Sequence, residues 1–163
     1  MITSFFSRAI DFDVLPMESA HCDEAAAIHA ARFARAWSAD EIDALLGQTN
    51  VHGFVIQPSG SGRRGIEGFV LVRMAADEAE ILTVGVKEKQ QNRGLGWRLM
   101  NAAIRTARGE GAQVMFLEVD ETNQRAIALY RKLGFAEVAR RQAYYFHKDG
   151  ARTAALVMRL DLN

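Results

Sequence analysis

Two glycines, Gly94 and Gly96, stand between the β-prone run ILTVGV and an amphipathic run, and with Gln91 they spell QxxGxG. A chain that turns from strand to helix there leaves the first-turn N–H groups unpaired, and residues without side chains let an anion approach them. The chemistry on offer is the grip of a phosphate; a tight turn holding no ligand is the other reading. No glycine follows three positions after Gly96 and no Gly-Lys-Ser/Thr ends the run, so neither the dinucleotide fingerprint nor a Walker loop is present. Downstream, Glu118 sits in FLEV between apolar neighbours. At the end of a buried strand, desolvation would make its carboxylate a better proton acceptor; at a sheet edge it would simply be solvated. Tyr130 falls on the apolar side of a helical run, where its hydroxyl either gives up a proton or pairs with a core backbone group. Cys22 lacks a partner in sequence and reads as a packed or idle thiol. His21, His29, His52 and His147 lack metal-ligand spacing, and no metal is expected.

These residues need a frame, and the periodicity supplies one. HCDEAAAIHAARFARAW is rich in helix formers and predicts a helix up to Trp37. SADEIDALLGQ predicts a second, with a capping box from Ser38 to Glu41 and a stop at Gly47. VHGFVIQP reads as a strand, Pro58 to Gly65 as a hairpin loop, and IEGFVLVRMAADEAEILTVGV as two strands around the turn from Ala75 to Glu78. After Gly96 a helix is expected until Gly109 and Gly111, then the strand QVMFLEV, then a helix capped by Asn123 and closed by Gly134. FAEVARRQAYYF and ARTAALVMRLDL predict a last strand pair joined by HKDG, and the alternation in DFDVLPM suggests an edge strand near the start.

Composition narrows the function classes. A chain of 163 residues fits one domain, expected over 1–163. Lys plus Arg and Asp plus Glu both number 20, so no broad field for polyanions exists and direct nucleic-acid binding is not expected. One cysteine cannot staple a fold, which points to a reduced, cytoplasmic setting. The apolar patch near the start is broken by Arg8, Asp11 and Asp13, too polar for a signal sequence or membrane span.

The whole pattern resembles the GNAT superfamily of N-acetyltransferases, and within it the ribosomal-protein-alanine N-acetyltransferase branch. HAARFARAWSADEIDALL, ILTVGV, QNRGLGWRLM, FLEVDETNQRAIALYRKLGF, RRQAYY and ALVMRL carry the likeness, which runs from about His29 to the end. It implies an α/β (α+β) fold: a mixed, mostly antiparallel sheet of six to seven strands, splayed at the middle and flanked by about four helices. It also implies acetyl-CoA as cosubstrate. Val84, Gly85 and Val86 would hold the acetyl-pantetheine arm by their backbone. Asn92, Arg93, Gly94, Leu95, Gly96 and Trp97 would meet the phosphates. Asn123 would touch the cofactor, alongside or instead of capping its helix. The polar KEKQQ and Trp97 depart from the family pattern, so amides should do most of the gripping, with charge from Arg93 and Arg98. The likeness makes Glu118 the base and Tyr130 the acid of a direct transfer, with a backbone N–H near Val84 polarising the carbonyl from a strand bulge next to Gly85. The implied acceptor is the N-terminal alanine of a small-subunit ribosomal protein, between walls formed by Trp37, Tyr144 and Tyr145. A lysine side chain or small-molecule amine is the alternative acceptor, and a non-catalytic acetyl-CoA-binding module the alternative function. A monomer or weak dimer is expected.

Overall fold

A computed structural model describes residues 10–60 and 65–163, with Ala143 and Tyr144 described by backbone alone. The start of the chain and the tip of the predicted Pro58 to Gly65 loop lie outside the described residues. The strands are β1 (Phe12–Pro16), β2 (Val51–Pro58), β3 (Gly68–Ala75), β4 (Glu78–Val86), β5 (Val114–Asp120), β6 (Ala136–Phe146) and β7 (Arg152–Asp161). Their order in the sheet is β1-β2-β3-β4-β5-β7-β6. The DFDVLPM alternation thus does form an edge strand, and the last strand of the chain inserts between β5 and β6. Every pairing is antiparallel except that of β4 with β5.

The helices are α1 (Cys22–Arg32), α2 (Ala39–Leu46), α3 (Leu95–Gly109) and α4 (Gln124–Leu133). α2 begins as its sequence predicts: the Ser38 side chain accepts from the Glu41 N–H, and the Glu41 carboxylate accepts from the Ser38 N–H. α4 begins at Asn123, whose side chain accepts from the Ala126 N–H, and ends at Gly134, whose φ of 104° favours glycine. α1 stops at Arg32, short of the expected Trp37. Phe33 is extended, and the rings of Phe33 and Trp37 stack on His29, a tertiary gain that overrides local helix propensity.

The sheet has two covered faces. Leu95, Leu99, Met100, Ala103, Ile104 and Ala107 give α3 its apolar stripe, which packs with Ile127 and Tyr130 of α4 against Val70, Ile81, Leu117 and Met158. Each such large side chain contributes about 1.5–3 kcal/mol on full burial. On the opposite face Ala25 and Ile28 of α1 and Ile42 of α2 cover Val55, Phe69 and Leu71. No helix among the described residues is long and apolar enough to cross a membrane.

One departure from regularity opens the sheet. β4 pairs with β3 along its length, but with β5 only at Glu78–Val114, Ala79–Met115 and Glu80–Phe116. Opposite the Leu71/Val72 step, Thr83 and Ile81 are consecutive partners, so Leu82 is the extra residue of a bulge. A bulge bends its strand and increases local twist. β4 therefore swings away from β5, while β5 stays paired with β7 as far as Asp120. A wedge opens with Val84 to Val86 on one wall and Glu118 to Asp120 on the other. The bulge expected next to Gly85 lies at Leu82 instead.

Candidate active site

At the open end of the wedge the chain leaves β4 through KEKQQ. Lys87 N–H donates to Glu67 O at 2.9 Å, a 3-10 turn spans Glu88–Gln90, and the Gln91 side chain donates to the Val86 carbonyl at 3.1 Å. Polar residues thus tie the loop to the strand end by hydrogen bonds. Asn92 (φ 65°) and Gly94 (φ 74°) then take left-handed conformations, which asparagine tolerates and glycine prefers. The first helical bond of α3 is Arg98 N–H to Gly94 O at 3.1 Å. Ahead of it, the N–H groups of Asn92, Arg93, Gly94, Leu95, Gly96 and Trp97 have no acceptor among the described residues. They crowd at the positive end of the α3 dipole, an arrangement suited to an anion. Gly96 also serves packing, because a Cβ there would lie 3.2 Å from Leu129 Cδ2 and its absence lets α4 come close.

Arginines border this loop. Arg93 and Arg98 line an open cleft of about 430 Å³ with Ile10, Asp11 and Phe12, and Arg98 also donates to the Phe12 carbonyl at 2.8 Å. A second cleft, of about 560 Å³, runs along α3 between Trp97, Arg105 and β1. Neither cleft includes the wedge. Trp97 is partly exposed, at 42%.

The proton-handling candidates stand on opposite faces. Leu117 and Val119 belong to the core under α3 and α4, so Glu118 between them points to the α1 face. β5 is an interior strand, and the Glu118 carboxylate is partly buried; its Oε1 lies 3.1 Å from Nη1 of Arg141. The apolar surroundings expected from FLEV are therefore tempered by an ion pair. Tyr130 is buried against Phe135 on the other face, and no described residue is hydrogen-bonded to its hydroxyl. Burial, reinforced by Tyr145 and opposed by Arg32, pushes the phenol's pKa up, so it keeps its proton. Cys22 is buried and its thiol is also pushed up, by burial and then by Asp43, which removes it as a nucleophile. No group of three His, Cys, Asp or Glu among the described residues could hold a metal.

On the α1 face Trp37 is fixed by His29. The His29 ring is 3% exposed, stacked between Phe33 (centroids 4.3 Å apart) and Trp37 (4.8 Å), and its Nδ1 accepts from the Trp37 N–H at 3.1 Å. Burial lowers its pKa to about 4, with Glu41 opposing. An unfolded chain takes up this proton near pH 6.5, so the stabilisation is complete above that value and is lost as pH falls through about 4. The loss is at most roughly 3 kcal/mol. Urea melts between pH 7 and pH 4 should show this decline, with a shallower slope in His29→Gln. An equal slope in the variant would assign the acid sensitivity to carboxylates.

Tyr145 pairs with Thr153 in the β6–β7 hairpin, and the Tyr144 side chain lies outside the described parts of the chain. β6 loses register with β7 between Arg141 and Tyr145. The hairpin is anchored to the end of β5 through Asp120, whose Oδ2 lies 2.9 Å from both the Thr153 hydroxyl and Nε2 of His147. Sequence reasoning assigns no role to Arg141, because adjacent arginines in a strand give no sign of which faces the sheet centre until the irregular register is known. It also passes over Asp120 and Thr153, whose contact depends on strand order alone.

Comparison with known proteins decides the family. The family model described as Acetyltransferase (GNAT) family matches residues 20–135. The chain belongs to the GNAT acetyltransferase family. It is 36% identical over 95 residues to the [ribosomal protein bS18]-alanine N-acetyltransferase of Escherichia coli K12, a match covering 58% of this chain and 64% of that protein. The chain thus spans just under two-thirds of the curated relatives it matches there. It is 44% identical over 68 residues to the N-alpha-acetyltransferase RimI of Mycobacterium tuberculosis, covering 42% of this chain and 41% of that one. The crystal structure of the Escherichia coli ribosomal-protein-S18-alanine N-acetyltransferase superposes with a TM-score of 0.82 at 27% identity, covering 94% of this chain and 95% of that chain. Arabidopsis thaliana NAA60 in complex with acetyl-CoA shares the GNAT fold, with a TM-score of 0.79 at 19% identity, over 93% of this chain and 98% of that chain.

Proposed function

We propose that this GNAT protein transfers the acetyl group of acetyl-CoA directly to the α-amine of a protein N-terminus, the N-terminal alanine of a ribosomal protein being the acceptor. The observation that carries the reading is the unbroken run of unpaired amides from Asn92 to Trp97 beyond the open end of a wedge that has Glu118 on its β5 wall. Such a run suits the pyrophosphate of CoA, with Arg93 and Arg98 adding charge and Asn123 near the start of α4 as a further contact. The backbone of Val84, Gly85 and Val86, unpaired by β5, suits the amide-bearing arm and supplies an N–H to polarise the thioester carbonyl.

In this scheme Glu118 takes a proton from the incoming ammonium and passes it to solvent, the neutral nitrogen bonds to the acetyl carbon, and the carbon–sulfur bond breaks as the nitrogen gives its second proton to solvent by the same carboxylate. Tyr130 gives its proton to the departing sulfur and recovers one from solvent. Opposite faces serve opposite reactants: the acceptor enters on the α1 face between Trp37 and the hairpin of Tyr144 and Tyr145, and the cofactor arrives from the side of α3 and α4. The names of the relatives support the choice of an N-terminal alanine, and the bacterial relatives support action in the cytoplasm.

Release of free CoA from acetyl-CoA tests the reading. The acceptors are a peptide with an open N-terminal alanine and one with a blocked N-terminus and a free lysine. CoA release with the first alone is the expected result. Release with the second alone would move the assignment to lysine, and acetyl-CoA binding without turnover on either would leave a binding module or a metabolite enzyme.

A further inference from the structure

Thr83 is a polar side chain buried without a partner. It is 7% exposed, and no described residue hydrogen-bonds to its Oγ1. Thr83 lies beyond the last β4–β5 pair, in the stretch where the strands diverge, and directly follows the bulge at Leu82. Its cross-strand partner Leu71 belongs to the core under α1 and α2. Gly85, two residues on in regular register, faces the same way: a Cβ there would lie 3.1 Å from Ile28 of α1. Glu118 of β5 points to this face too, since its neighbours Leu117 and Val119 both enter the opposite core. The two walls of the wedge therefore each present one polar group on the α1 face, Thr83 from β4 and Glu118 from β5.

Packing does not explain a hydroxyl here. Valine has nearly the same shape, and a buried hydroxyl with no partner destabilises the fold that carries it. A threonine oxygen both donates and accepts, and so matches an amine or the first peptide group of an acceptor. We infer that the Thr83 hydroxyl is a positioning group for the acceptor, hydrogen-bonding its amino end across the wedge from Glu118. This rests on the acetyl-transfer reading above. Its place on the α1 face sets the hydroxyl apart from α3, whose buried side chains pack against the other face of the sheet.

Steady-state kinetics with the open alanine peptide, calorimetric binding of acetyl-CoA and thermal melts of the wild type, Thr83→Val and Thr83→Ser test the inference. The expected result is a roughly tenfold rise in peptide KM in Thr83→Val, with acetyl-CoA affinity unchanged, Tm equal or higher, and recovery in Thr83→Ser. An unchanged peptide KM in Thr83→Val overturns it. So does a loss of acetyl-CoA affinity, which would give the hydroxyl to the cofactor, or a fall in Tm restored by serine, which would make it structural. A wild type that binds acetyl-CoA but acetylates no peptide overturns the acceptor reading and this inference together, whereas an active wild type beside an unaltered Thr83→Val overturns this inference alone.

Discussion

Tyr130→Phe should lower kcat by about 10²- to 10⁴-fold while leaving acetyl-CoA affinity and thermal stability close to those of the wild type. The substitution removes one oxygen. The ring keeps its edge-to-face contact with Phe135 (centroids 5.9 Å apart), and the hydroxyl has no hydrogen bond to a described residue whose loss would cost stability. On the proposed reading, what disappears is a proton donor in a buried place. In the proposed transfer, the burial that raises the phenol's pKa would also penalise a naked thiolate nearby, and a neutral phenol would be its proton donor. Single-turnover measurements at saturating acetyl-CoA separate this from a binding defect. A kcat within twofold of the wild type would give the proton to another group and leave Tyr130 as a core aromatic.

Much of the frame that holds these groups is legible in local sequence because local forces set it. Ser38 and Glu41 cap α2 as their spacing dictates, and Gly134 stops α4 because the left-handed turn there favours a residue without Cβ. The unpaired amides of Leu95, Gly96 and Trp97 are legible as well, since every helix leaves those of its first turn without partners; those of Asn92 to Gly94 depend on the loop that leads into it. Long-range packing is what the sequence conceals. Nothing in ARFARAW says that the helix must end at Arg32; that requires Phe33 and Trp37 to find the His29 ring. The bulge at Leu82 depends on the register of two strands, and β-branched residues on either side disguise it. β7 between β5 and β6 is likewise a matter of topology, and with it come the contact of Asp120 with Thr153 and the approach of Arg141 to Glu118. In the site, residue types are readable and their neighbours are not. Glu118 stands out as a carboxylate near apolar residues, but its guanidinium partner comes from a later strand, β6, on the far side of α4 in the chain.

That partner shapes what Glu118→Gln should do. Glutamine keeps the size of the side chain and an oxygen that can still accept from Arg141 Nη1, 3.1 Å away in the wild type, so the hairpin should stay in place and acetyl-CoA affinity should hold. On the proposed reading, the lost function is proton removal. An α-amine with a pKa near 7.7–8.0 is neutral in only roughly one molecule in eight at pH 7, and the variant must draw on that fraction without a base in the transition state. At pH 7 kcat/KM for the alanine peptide should fall by about 10²-fold or more. Raising the pH to 9 supplies the neutral amine from bulk, so the gap to the wild type should narrow as the variant's rate follows the amine's own ionisation. Two results would remove Glu118 from the reaction. One is a pH 7 rate within threefold of the wild type; the other is a deficit that stays constant from pH 6 to 9. Either would leave the carboxylate as the counter-charge that holds Arg141 and the β6–β7 hairpin against the sheet, and would oblige the amine to lose its proton to water alone.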